Sequence, residues 1–157
     1  MSDEFKALGK TTDYPERVDA SILEKFKSRN PNLVRWVRLN VPEYSSICPV
    51  TSQPDYGTLY ISYIPHMYMV ESKSLKLYLF GYRNVGMFHE ECVAQIYQDL
   101  SDLLVPLYIE VYAEFLPRGG ISIFPYVNGS VDDPFWNRFQ EKRMLQHDQM
   151  IRRIDNL

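Results

Sequence analysis

The chain has 157 residues, 45% hydrophobic and 14% aromatic, which fits one domain able to bury roughly two thirds of its unfolded surface. Its formal charge of -3 and isoelectric point near 5.6 exclude a general grip on nucleic acid, which needs clustered Lys and Arg to neutralise phosphates. Any anionic ligand must therefore be met by a local group of cations.

Residues 1–15 are polar and aperiodic and read as a flexible segment ahead of a single domain over 16–157. With neither a signal peptide nor an apolar run long enough to span a bilayer, a cytoplasmic protein without membrane contact is expected. Ser21 and Glu24 have capping-box spacing and predict a short helix that packs Ile22, Leu23 and Phe26 before Asn30-Pro31-Asn32 breaks it. Residues 33–41 read as a strand. Residues 46–57, with Pro49 and Pro54 among turn-forming side chains, read as a stiff irregular connection, the kind of segment that carries function on a rigid scaffold.

A second strand is expected over residues 57–69, where Leu59, Ile61 and Tyr63 alternate with Tyr60, Ser62 and Ile64. From Ser72 the spacing of Leu75, Tyr78, Leu79 and Tyr82 turns helical and pauses at residues 83–86. A longer helix follows, with Phe88, Val93, Ile96, Leu100 and Leu103 on one side and His89, Glu90 and Glu91 in the first turn, where negative charge is favoured. Residues 107–116 alternate as a strand, Pro117-Arg118-Gly119-Gly120 predicts a tight turn, and residues 121–127 the returning strand. A last helix carries Phe135, Trp136, Phe139, Leu145 and Ile151.

The expected class is α+β: a four-stranded antiparallel sheet with two helices between its second and third strands, flanked by N- and C-terminal helices. Helices on one face leave the other open, and open edges invite pairing with further copies, which a ring satisfies. Twelve tyrosines exceed what a solvated surface needs and point to contact with a ligand or another subunit.

Cys48 stands seven residues before Asp55. An ordinary thiol is only a few per cent thiolate at neutral pH, so a nucleophilic Cys48 needs a neighbour such as Asp55; its other reading is a small buried hydrophobe. Cys92 lies too far along the chain for a CxxC pair, and a reversible disulfide between the two depends on the fold. His66, His89 and His147 have no metal-ligand spacing, so no metal is expected. In the run from Glu71 to Lys76, Lys73 and Lys76 share a helix side beside Ser72 and Ser74, an arrangement that suits a phosphate and also fits ordinary solvated charge. No Rossmann or Walker glycine pattern is present, so a nucleotide would rely on those lysines. Glu90 fits a dipole partner, or a carboxylate that accepts two N–H donors from a guanine-like ring edge, with His89 orienting the ligand or relaying a proton.

Four segments together, Cys48-Pro49-Val50-Thr51 with Gln53-Pro54-Asp55, Glu71-Ser72-Lys73-Ser74-Leu75-Lys76-Leu77-Tyr78, Phe88-His89-Glu90, and Pro117-Arg118-Gly119-Gly120-Ile121-Ser122-Ile123, resemble those of the 7-cyano-7-deazaguanine reductases, NADPH-dependent nitrile reductases of queuosine biosynthesis. The resemblance runs from about residue 30 to the end of the chain. It implies a tunnelling fold, related to GTP cyclohydrolase I, that assembles into a ring-shaped homo-oligomer, two stacked pentamers being one such arrangement, with active sites between subunits. It implies Cys48 as covalent nucleophile, Asp55 as acid, His89 beside them, and Glu90 as the carboxylate that recognises the deazaguanine. Glu71 and Ser72 would serve substrate and cofactor, and Lys73, Ser74 and Lys76, with Arg118 as a further candidate, would hold NADPH. Phe124, where an acidic residue is expected, and Tyr56-Gly57, in place of Phe-Ala, depart from the pattern and bear on substrate packing. The reaction implied is nitrile to primary amine through a Cys48 thioimide, without tRNA contact. An amidinotransferase using the same thioimide and a non-catalytic ring protein that binds a purine or pterin are the alternatives.

Overall fold

A computed structural model describes residues 14–151, with side chains described as far as His147. The expected segment 1–15 lies almost wholly outside the described residues. In chain order the elements are β1 (Lys25–Lys27), β2 (Val37–Ile47), β3 (Pro54–Ile64), β4 (Tyr68–Val70), α1 (Ser72–Phe80), α2 (His89–Leu104), β5 (Tyr108–Phe115), β6 (Tyr126–Ser130) and α3 (Pro134–Ile151). The main sheet is antiparallel in the order β2-β3-β5-β6, and α1 and α2 connect β3 to β5. The expected α+β tunnelling fold is borne out. No helix among the described residues is long and apolar enough to cross a membrane.

Alternation on the strands decides the layers. Ile109, Val111 and Ala113 of β5 face Cys92, Val93, Ile96 and Leu100 of α2, which recur at helical spacing and are almost fully buried. Their neighbours Tyr108 and Glu110 face the other way, against α3. There Arg143 grips Glu110 through both side-chain oxygens, Nη2 to Oε1 at 2.6 Å and Nε to Oε2 at 3.1 Å. Tyr108 and Tyr126 hydroxyls donate to the same carboxylate at 2.8 and 3.0 Å. A buried carboxylate with this many donors is satisfied, and it fastens α3 over the β5–β6 end of a face that the sequence leaves open.

Four expected elements move, the second strand among them: expected over 57–69, it runs from Pro54 to Ile64, and Tyr68–Val70 is a separate strand in the small sheet with β1. The predicted N-terminal helix is a single 3-10 turn, Ala20–Ile22, capped by the Asp19 carboxylate rather than by a Ser21–Glu24 box. The chain then extends into β1, paired with β4. The first strand of the main sheet begins later than residue 33 and runs on to Ile47, so the irregular connection shrinks to residues 48–53. The returning strand is β6, not residues 121–127; Pro125 lacks the N–H that a ladder needs, and regular pairing begins at Tyr126 opposite Tyr112.

Candidate active site

β2 and β3 form a hairpin in which Ile47 pairs with Pro54 and Ser46 with Asp55, leaving a six-residue loop at residues 48–53. The loop closes on itself. The Cys48 N–H donates to the Gln53 carbonyl at 2.9 Å, and the Ser52 N–H donates to the Cys48 carbonyl at 3.0 Å. Ser52 adopts a left-handed φ of 56°, which a short polar side chain tolerates better than a branched one. Asp55, which sequence spacing places in the connection, is the second residue of β3 and is buried.

The register between β3 and β5 carries the chain after Phe115 back to this loop: Gly57 pairs with Phe115, and the Leu116 N–H donates to the Tyr56 carbonyl at 2.9 Å. A Cβ on Gly57 would come within 2.7 Å of the Glu114 carbonyl oxygen, so this chain needs glycine there for its strands to pair so closely. Arg118 then reaches across. Its guanidinium forms an ion pair with the Asp55 carboxylate and donates to the Gln53 carbonyl at 3.1 Å. From the other side His89, the first residue of α2, brings Nε2 to 3.1 Å from Asp55 Oδ1, its ring stacked on Phe115 with centroids 3.8 Å apart.

α2 is tied to the loop through the backbone. Ile47 forms a parallel bridge with Gly86, its N–H donating to the Val85 carbonyl while its carbonyl accepts from the Met87 N–H, at 3.1 and 3.0 Å. The helix therefore starts beside Cys48, with His89 turned inward and Glu90 exposed. Glu90 is not the buried carboxylate that ring recognition by itself suggests; it stands at the open rim.

Cys48 is half-exposed and a free thiol. The Thr51 hydroxyl, helped by the backbone N–H groups of Thr51 and Val50 and by the Arg118 guanidinium, lowers its pKa to about 6. The thiolate thus predominates at neutral pH, about nine-tenths at pH 7, and is lost as pH falls through 6. Thr51 is the residue that sequence spacing misses, since it looks like any turn residue; Arg118, expected as a cofactor candidate, meets the loop through the strand register. Cys92, also free, is buried beneath, and burial pushes its thiol up. We predict that alkylation of Cys48 by iodoacetamide is flat above pH 7 and half-maximal near pH 6. Thr51→Ala moves this midpoint toward the ordinary thiol range and slows alkylation at pH 7 by roughly fivefold or more; an unshifted midpoint would remove Thr51 from this role.

These residues lie within or beside a segment that matches a family model described as QueF-like protein, over residues 54–133. The chain is 51% identical over 145 residues to an NADPH-dependent 7-cyano-7-deazaguanine reductase of Helicobacter pylori, covering 92% of this chain and 98% of that one. It is 47% identical to a protein of the same name from Bacteroides thetaiotaomicron, over 94% of this chain and 98% of the other. The chain belongs to this family of reductases. Among solved structures the apo form of the archaeosine synthase QueF-Like shares the fold, with a TM-score of 0.56 at 22% identity over 63% of this chain and 96% of that one.

The segment expected to hold the reductase's cofactor is α1. Glu71 is its N-cap, the Lys73 and Ser74 N–H groups donating to its two carboxylate oxygens at 2.9 and 2.7 Å. Ser74 is fully buried; its hydroxyl donates to the Glu71 carbonyl at 2.8 Å and accepts from the Glu24 N–H at 2.9 Å. In this structure both side chains are occupied in starting the helix. Ser72 and Lys76 line an adjoining cleft of about 610 Å³, together with Arg38 and Arg83, and this excess of cations fits the phosphates of a nicotinamide cofactor. Arg118 lies with Asp55 and the Cys48 loop.

Proposed function

We propose that this chain reduces the nitrile of 7-cyano-7-deazaguanine to the primary amine, 7-aminomethyl-7-deazaguanine. The observation that supports this best is the Cys48 thiol, held near pKa 6 in a loop that Arg118 ties to a buried Asp55 and that His89 backs from the other side. A nitrile accepts hydride poorly. Addition of the Cys48 thiolate to its carbon opens one carbon–nitrogen π bond, and the nitrogen takes a proton that His89 Nε2 relays through the Asp55 carboxylate. The product of that addition is a thioimide, a readier hydride acceptor. NADPH, when bound, supplies hydride, two in all for the four-electron change. When the reduced adduct collapses, Cys48 leaves as a thiolate onto the donors of Thr51 and Val50 that stabilised it at the start.

Glu90 would read the ring edge by accepting two N–H bonds, and its exposed position fits a carboxylate that a ligand covers. Val50, Phe88, Leu116 and Ile121, all more than half exposed around the same loop, form an apolar rim. That rim supports self-association into a ring that closes the pocket over an imine which water must not reach. The reading places the enzyme in the cytoplasm, where thiols stay reduced, with a free base rather than tRNA as substrate.

The test is absorbance at the NADPH band with and without nitrile. NADPH oxidation strictly dependent on nitrile is expected; amidine formation from ammonia with no NADPH consumed would transfer the chain to amidinotransferase chemistry. Changing Lys73 and Lys76 together to Ala should raise KM for NADPH by roughly tenfold or more, as expected for lost charge-assisted phosphate bonds. The Cys48 adduct, followed by mass spectrometry, should still form in that variant. Parallel loss of both would make the lysines structural.

A further inference from the structure

The cleft beside α1 continues toward the nucleophile. A second depression, about 520 Å³, is lined by Glu43, Ser45, Ser46, Pro54, Tyr56 and Arg83. Three of these, Glu43, Ser45 and Arg83, also line the first, so the two meet at Arg83. Pro54 pairs with Ile47, and Ser45 lies three residues before Cys48 on extended chain, roughly 10 Å away. Arg83 therefore stands between Lys76 on one side and the Cys48 loop on the other.

Arg83 is solvent-exposed, but one side of its guanidinium is covered. The 3-10 turn Gly81–Asn84 that follows α1 carries it, and its guanidinium lies over the Phe80 ring, 4.2 Å from the centroid. Contact with the ring restrains the guanidinium while its N–H donors can still reach a ligand. Among the described residues no carboxylate pairs with it, although Glu43 lines the same wall. An oriented fork without a counter-ion, in a cleft running from a lysine-bearing helix to a nucleophile, matches a bidentate oxyanion ligand. A dinucleotide reaching from Lys76 toward the Cys48 loop places its bridging pyrophosphate along this path.

We propose that Arg83 is the pyrophosphate-binding residue of the cofactor site. The assignment rests on the reductase reading above. The experiment uses the full chain and its Arg83→Ala and Arg83→Lys variants, with ADP-ribose, which carries the pyrophosphate without nicotinamide or 2′-phosphate, titrated by calorimetry. Wild-type protein should bind it; Arg83→Ala should bind roughly tenfold more weakly, and Arg83→Lys should recover part of the loss. In steady-state assays Arg83→Ala should raise KM for NADPH and NADH by the same factor, with kcat changed less, while the Cys48 adduct still forms. Unchanged ADP-ribose affinity, no binding to wild type, a KM penalty confined to NADPH, or loss of the adduct in Arg83→Ala would each overturn the assignment. Absence of nitrile-dependent NADPH oxidation in wild type is a separate result that sinks the reductase reading, and the calorimetry does not depend on it.

Discussion

Cys48→Ala should abolish the covalent nitrile adduct and nitrile-dependent NADPH oxidation together, a loss on the order of ten-thousandfold or more, because no other thiol can substitute. Cys92 is fully buried and its thiol is pushed up by that burial, so it has neither access nor thiolate. The fold should not notice the change. Cys48 is half-exposed, and the loop is held by its backbone bonds to Gln53 and Ser52 rather than by the sulfur. The variant should melt with wild type and still bind substrate. Residual turnover with intact protein would show that the sulfur is not the nucleophile, leaving direct hydride addition or non-catalytic binding.

Asp55→Asn should separate the two halves of the chemistry. The amide keeps the size of the buried side chain but cannot supply an acidic proton, and general acid catalysis is worth about a hundred- to ten-thousandfold. Turnover should fall by a factor in that range. The thioimide should still accumulate, because the thiolate depends first on Thr51 and the loop amides. The substitution also takes the charge from the Arg118 ion pair, so Arg118 should become more mobile and the Cys48 alkylation profile should change only slightly. Full turnover in Asp55→Asn would remove the carboxylate from its role, whereas loss of the adduct would make Asp55 chiefly a support for the loop.

Much of this was legible before any coordinates, and the physical reason differs from place to place. α2 and β5 each bury one face against the other, so Val93, Ile96 and Leu100 on one and Ile109, Val111 and Ala113 on the other announce their period plainly. Cys48, Asp55 and His89 are readable as types of chemistry, and the structure sets His89 and Arg118 on the Asp55 carboxylate, with Arg118 also reaching the Cys48 loop. The short elements were not readable. Over residues 20–27 a 3-10 turn and a three-residue strand compete, and what decides is β4, more than forty residues on, whose edge no local pattern reports. The reach of Arg118 to Asp55, beyond its reading as a cofactor candidate, follows from cross-strand register that no local pattern reports. Glu71 and Ser74 were read as ligands because a good helix start and a good binding site use the same residue types.

The bridge between Ile47 and Gly86 joins the peptide next to the sulfur to the turn that launches Glu90. On the roles proposed for Cys48 and Glu90, bond-making and ring reading share this one backbone clamp. Changes along the exposed lip can alter which molecules enter without re-aiming the sulfur, but slackening that clamp would erode selectivity and speed in the same proportion.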